Sequence, residues 1–156
     1  MITIEPLTAE IVERHGNELI SLNDADWDYW TKENLAADLP GKWQHSLIAY
    51  VDSNISGYAI ASRTTEGIHL HHIVIAASLR SLGLGRILIA RIAIKAAQEG
   101  ARIMTLKVYK TNTRAICLYE SLGFRTVDND RPDLQKMFAN LSDVIRNVGE
   151  NAVLLK

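Results

Sequence analysis

Residues 67–76 read "GIHLHHIVIA", a run rich in β-branched residues. It leads within a few positions into "SLRSLGLGRILIARIAIKAA", where Gly83 and Gly85 stand one residue apart ahead of an apolar, helix-favouring stretch. A strand that feeds a glycine loop, which in turn opens a helix, narrows what this chain can fold into and what it can hold. Glycine permits the positive φ that such a loop needs. The backbone N–H groups at the start of the following helix have no intrahelical partners and suit an anion.

Around this unit the pattern is mixed. "MITIEP" reads as a strand stopped by Pro6, and Thr8 can cap a helix over about residues 9–22. "NDADWDYWTKENLAADLPGKW" reads as an irregular lip with one or two helical turns, ended at Pro40-Gly41. "HSLIAYVD" and "GYAIASRT" flank the turn "SNIS", and the run from Gly67 adds a third strand. The helix after the glycine loop should cover about 84–99 and stop at Gly100. Its polar residues Arg91, Lys95, Gln98 and Glu99 share one narrow face, so most of its circumference should be buried. "IMTLKVY" reads as a strand, "NTRAICLYESL" as a helix ended by Gly123, and "FRTVD" as a strand. Leu134, Met137, Phe138, Leu141, Ile145 and Val148 recur at helical spacing, which predicts a helix over about 133–147, covering the sheet or forming a dimer seam. "NAVLLK" would close the chain as a strand. No repeat or linker interrupts residues 1–156, which predicts one α+β domain.

Composition removes several function classes. A chain of 156 residues can bury a core without staples. Its formal net charge of −1 gives no global pull toward nucleic acid or an acidic membrane. The single cysteine excludes an internal disulfide framework and any cysteine-based metal cage; no metal is expected. The N-terminus lacks a signal-peptide pattern and no apolar run approaches a bilayer span, so a cytoplasmic protein is expected.

Three readings of the glycine loop compete. A dinucleotide fingerprint would place a third glycine where Leu88 stands, and a phosphate-binding loop would need Gly-Lys-Ser/Thr in place of Gly85-Arg86-Ile87. The third reading is a plain tight turn.

The flanking residues favour a ligand. "RSLGLG", with Arg80, Gly83 and Gly85 in Arg-x-x-Gly-x-Gly order, resembles the Gln/Arg-x-x-Gly-x-Gly/Ala signature of the GCN5-related N-acetyltransferase (GNAT) family. "NTRAICLYESLGF" places Asn112, Ala115, Tyr119, Gly123 and Phe124 at the spacing of that family's Asn-x-x-Ala-x-x-x-Tyr-x-x-x-Gly-Phe segment. The resemblance covers roughly residues 67–128 and weakens beyond, where a helix is expected between the last two strands. It implies a three-layer α/β arrangement with a mixed, mostly antiparallel central sheet flanked by helices. It also implies transfer of an acetyl group from acetyl-CoA to a primary amine by direct attack in a ternary complex. The pyrophosphate would rest on the loop Arg80, Ser81, Leu82, Gly83, Leu84, Gly85 and Arg86. The pantetheine arm would pair with the backbone of Ile73, Val74 and Ile75, and Asn112 and Ala115 would also line the cofactor. Asn112 reads equally as a helix N-cap.

Tyr119 matches the family tyrosine that protonates the departing thiolate; its other reading is a packed ring at a helix–sheet seam. Strand alternation puts His69, His71, Ile73 and Ile75 on one face, with Leu70 and His72 on the other. A His-x-His pair at the same offset occurs in arylalkylamine N-acetyltransferases, so His69 and His71 are candidate bases, against a structural role for both. His72 should pack, and Glu66 is the reserve base. In the lip, Asp26, Trp27, Tyr29 and Trp30 are candidate acceptor contacts, since carboxylates draw ammonium groups and indoles hold cations or sugar faces. That chemistry suggests a small amine or amino sugar as acceptor, with a protein N-terminus or lysine as the alternative. A solvated acidic loop anchored by its tryptophans is the bland reading. A non-catalytic acyl-CoA-binding module and a nucleotide-dependent oxidoreductase are the rival classes, and the protein would act as a monomer or homodimer. Cys117, between Ile116 and Leu118, reads as a core thiol.

Overall fold

The computed structural model describes residues 1–23, 30–127 and 131–149. The described elements run β1 (Ile2–Pro6), α1 (Ala9–Ser21), α2 (Lys32–Ala36), α3 (Lys42–His45), β2 (Leu47–Val51), β3 (Asn54–Arg63), β4 (Gly67–Ile75), α4 (Leu84–Gln98), β5 (Ile103–Tyr109), α5 (Thr113–Ser121), β6 (Arg125–Val127), β7 (Leu134–Asn140) and α6 (Leu141–Val148), with a 3₁₀ turn at Ala77–Leu79 before α4. The strands form one mixed sheet in the order β1-β2-β3-β4-β5-β7-β6. Every neighbouring pair is antiparallel except β4 and β5, which run parallel.

Local chemistry explains the element ends. Thr8 accepts a hydrogen bond from the Ile11 amide and starts α1. The β2–β3 turn is tighter than the expected "SNIS": Asp52 (φ 49°) and Ser53 (φ 69°) form it alone, while Asn54, Ile55 and Ser56 already belong to β3. Two successive positive φ values suit the twist of a two-residue hairpin. At Gly67 a Cβ would lie 2.0 Å from the Ile103 carbonyl oxygen, so only glycine lets β4 and β5 start side by side.

Two apolar clusters lie on opposite faces of the sheet. On one, Leu88, Ile89, Ile92 and Ala93 of α4 pack with Leu70, Met104, Leu106 and Met137. The narrow polar stripe expected on α4 is present, since eight of its side chains are buried. On the other face Val12, Leu19 and Leu35 from α1 and α2 cover Ile48, Tyr58, Ile60 and Val74.

The helix expected over 133–147 divides in two. Leu134–Asn140 is β7, held in a seven-residue register against β5 and paired on its other side with β6. The apolar spacing at 134, 137 and 138 suits either structure. The strand wins because β5 and β6 would otherwise present bare edges, and because Met137 and Ala139, two apart, both enter the core. Only Leu141–Val148 is helical, and Leu141, Ile145 and Val148 join the α4 cluster. "NAVLLK" and the lip residues Asp26, Trp27 and Tyr29 lie outside the described residues. No described helix is long and apolar enough to cross a membrane.

Candidate active site

The parallel pairing of β4 with β5 runs from Gly67↔Ile103 to Leu70↔Leu106 and no further. Beyond it, the edge of β4 from His71 to Ile75 faces a cleft of about 870 Å³ instead of a strand. The cleft wall opposite comes from Lys107–Tyr109 of β5 and from α5, and the floor from the start of α4. Sheet continuity is therefore broken at mid-strand, and the backbone groups of β4 are left available to an extended ligand.

The glycine loop meets this opening. Gly83 sits at φ 87° as the N-cap of α4, and no side chain caps the first-turn amides. A Cβ at Gly85 would make only ordinary contacts with Leu118, Ile75 and Ile73, at 3.7–3.9 Å. Packing within the protein does not demand glycine at 85, so the bare backbone there leaves room for something outside the chain. A pyrophosphate fits this cradle: it would meet unpaired amides and the positive end of a fifteen-residue helix. Arg80 donates from Nε to the Ile75 carbonyl at 3.1 Å, which ties the loop to the end of β4. Arg86 braces α4 instead, donating to Ser121 Oγ at 2.6 Å and to the Asn147 carbonyl at 3.0 Å. Arg80, Ser81, Gly83, Leu84, Gly85 and Arg86 line the cleft; Leu82 does not, being 73% exposed.

Across the opening, Asn112 caps α5, its Oδ1 accepting from the Ala115 amide at 3.3 Å, and both residues line the cleft. Tyr119 also lines it, with its ring almost buried beside Phe124. Cys117, on the same helix, is exposed and not a core thiol, because α5 buries only its Tyr119 side.

The histidines depart from simple alternation. Ile60 pairs with His72 and Ala61 with Leu70, so His71 is an extra residue in β4, a bulge. Leu70 thus falls on the α4 side together with Ile73 and Ile75, and the expected grouping of those isoleucines with His69 and His71 is overturned. Instead His71 and His72 both meet Trp30, His71 edge-on at 6.5 Å and His72 stacked at 4.8 Å between ring centroids. His69 and His71 lie edge to face at 4.6 Å. His72 packs as expected, buried and hydrogen-bonded to Asn23 Oδ1 at 2.9 Å.

His71 lines the cleft, whereas His69 and Glu66 do not. His71 shares a 2.7 Å hydrogen bond between Nε2 and Ser62 Oγ; His69 Nδ1 does the same with Thr105 Oγ1. Burial lowers the pKa of both. His69 falls to about 4, with His71, Lys107 and Lys136 adding to the depression. His71 is lowered by burial and by Lys42, whose buried ammonium donates to the carbonyls of Asn34, Leu35 and Ala37 and so closes the end of α2. The partners Ser62, Thr105 and Lys42 carry no sequence signal of their own. Only the sheet register and the return of α3 bring them to the histidines.

A sheet split between two parallel strands, with a glycine-opened helix below the split, defines the acyl-CoA N-acyltransferase fold. Residues 13–124 match the Acetyltransferase (GNAT) family, and the chain belongs to that family. A curated relative, the thialysine N-epsilon-acetyltransferase of Caenorhabditis elegans, is 27% identical over 99 residues, covering 60% of this chain. The match spans 62% of that relative's length. Among solved structures, the ribosomal-protein-S18-alanine N-acetyltransferase from Escherichia coli superposes with a TM-score of 0.76 at 21% identity, covering 90% of this chain and 94% of that one. The PaiA N-acetyltransferase from Thermoplasma acidophilum, in complex with coenzyme A, gives 0.74 at 18% identity, covering 90% of this chain and 99% of the other.

Proposed function

We propose that this chain transfers the acetyl group of acetyl-CoA to a primary amine by direct attack within a ternary complex. The observation that carries the reading is convergence: the unpaired edge of β4, the uncapped start of α4 and Tyr119 all border one cleft. The thioester supplies an acyl carbon that an amine can attack. Backbone of Ile73, Val74 and Ile75 orients the cofactor arm, and amides at Gly83–Gly85 hold its pyrophosphate. His71 takes the proton that the amine sheds as the N–C bond forms. Tyr119 gives its hydroxyl proton to sulfur as the C–S bond breaks, so the protein returns to its starting charge once water re-equilibrates the two groups. His71 is the better base than His69, because it borders the cleft and His69, at about 4, binds a proton too weakly. Trp30, against both His71 and His72, marks the acceptor side. The acceptor is read as a small amine, which the thialysine in the curated relative's name supports, while the ribosomal-protein alanine in a structural neighbour's name supports the alternative of a protein N-terminus.

Acetyl-CoA should raise the melting temperature, by roughly 2.7 kcal/mol of added stability at a hundredfold excess over Kd. Gly85→Glu should abolish the shift by setting bulk and charge on the anion seat. Release of free thiol on addition of an amine panel then tests transfer. An undiminished shift in Gly85→Glu would remove the loop from the binding site.

A further inference from the structure

Lys107 and Lys136 are direct partners across the antiparallel β5–β7 pair, so their side chains leave the same face of the sheet side by side. Like charges placed so are destabilising. Neither ammonium takes part in any ion pair or hydrogen bond with the described residues. The face is the one away from α4 and α6, whose apolar layer takes the alternate residues Met104, Leu106, Val108, Met137 and Ala139. It is also the face of His69, whose proton both lysines repel. Arg125, opposite Phe138 and so on the same face as Lys136, adds a third cation. The strands β4, β5, β6 and β7 contain no aspartate or glutamate at all. Lys107 itself lines the cleft, next to the point where β4 and β5 part.

A pair of facing cations with no acid among their strands is a cost to the fold that a bound anion would relieve. Pyrophosphate does not account for it, because the glycine loop and α4 lie on the opposite side of the sheet. Resting on the acetyl-transfer reading above, we propose that Lys107 and Lys136 seat an anionic group carried by the acceptor itself. The acceptor is then an amine that also bears a carboxylate or a phosphate a short distance from its nitrogen, with the nitrogen reaching past His71 toward the cleft.

Matched acceptors test this: free lysine against lysinamide for a carboxylate, and phosphoethanolamine against ethanolamine for a phosphate, each followed by thiol release. One anionic member should show a kcat/KM about tenfold above its neutral mate, the size expected of a charge-assisted contact. In Lys107→Gln, Lys136→Gln and the double variant that ratio should fall toward one, while Lys136→Arg should keep most of it. The double variant should melt at or above the wild-type temperature, since it removes a like-charge pair. Ratios near one in the wild type for both pairs would overturn the subsite and leave acetyl transfer standing. So would a loss of acetyl-CoA affinity in the glutamine variants, which would give the lysines to the cofactor. No thiol release with any acceptor would overturn the acetyl-transfer reading itself.

Discussion

His71 gains its position from a single extra residue in β4 and its neutrality from burial beside Lys42. With its pKa held below the ordinary 6.5, the imidazole is unprotonated at neutral pH and ready to accept a proton. The acid limb of kcat/KM should therefore lie below 6.5, not at or above it, and His71→Gln should lower the rate about a hundredfold while acetyl-CoA binding holds. Tyr119→Phe should cost less, because a thiolate near its reference pKa of roughly 8.5 is already a fair leaving group. His69 makes a separate prediction. Folded, it binds a proton only near pH 4, whereas in the unfolded chain it does so near 6.5. Between these values the unfolded state holds more protons, so stability rises with pH across that window. His69→Gln should flatten the dependence of the melting temperature on pH from about 4 to about 6.5; an unchanged slope would place the effect elsewhere.

At the level of elements, the parallel β4–β5 contact depends on Gly67, where the strands approach too closely for any side chain. Gly67→Ala should lower the urea midpoint without changing the m-value, by about 1–3 kcal/mol or more, since the obstacle is a backbone carbonyl that cannot turn aside. Elements defined by near neighbours were legible in the sequence. Thr8, Asn112, Gly83, Gly100 and Gly123 mark their helix ends by local geometry, and all sit where their residue types predict. The glycine loop and Tyr119 stood out through short motifs that resemble the GNAT family, while the cleft that both border is made by the packing of α4 and α5 about the split sheet. What stayed hidden depends on distant partners. β7 takes its form from β5 and β6 on either side, against a helical spacing of its own apolar residues. The bulge at His71 depends on a register with β3, and Lys107 meets Lys136 only because β7 returns antiparallel. Two lysines 29 positions apart carry no pattern that a reading along the chain could find.

The whole molecule is asymmetric about its split. Among the described residues, helices cover both faces on the β1–β4 side, whereas on the β5–β7–β6 side the packed apolar layer lies on one face and Lys107, Lys136 and Arg125 stand on the other. A ligand seated between β4 and β5 would supply the contact that the two halves lack beyond Leu70. Acetyl-CoA should then slow hydrogen exchange at the amides of His71–Ile75 that point away from β3, and leave those of β6 unaffected. Equal slowing everywhere would indicate a global gain and no local bridge. The extra residue in β4 carries a further meaning for how this chain can vary. Side-chain identity at 69, 71 or 72 can change one position at a time, and each change is felt locally. Losing the extra residue would restore plain alternation, keeping Ile73 and Ile75 on the α4 side and Val74 opposite, but leaving one histidine where two now meet Trp30. A one-residue deletion here would thus be felt by the histidines and Trp30, and not by the layer beneath α4.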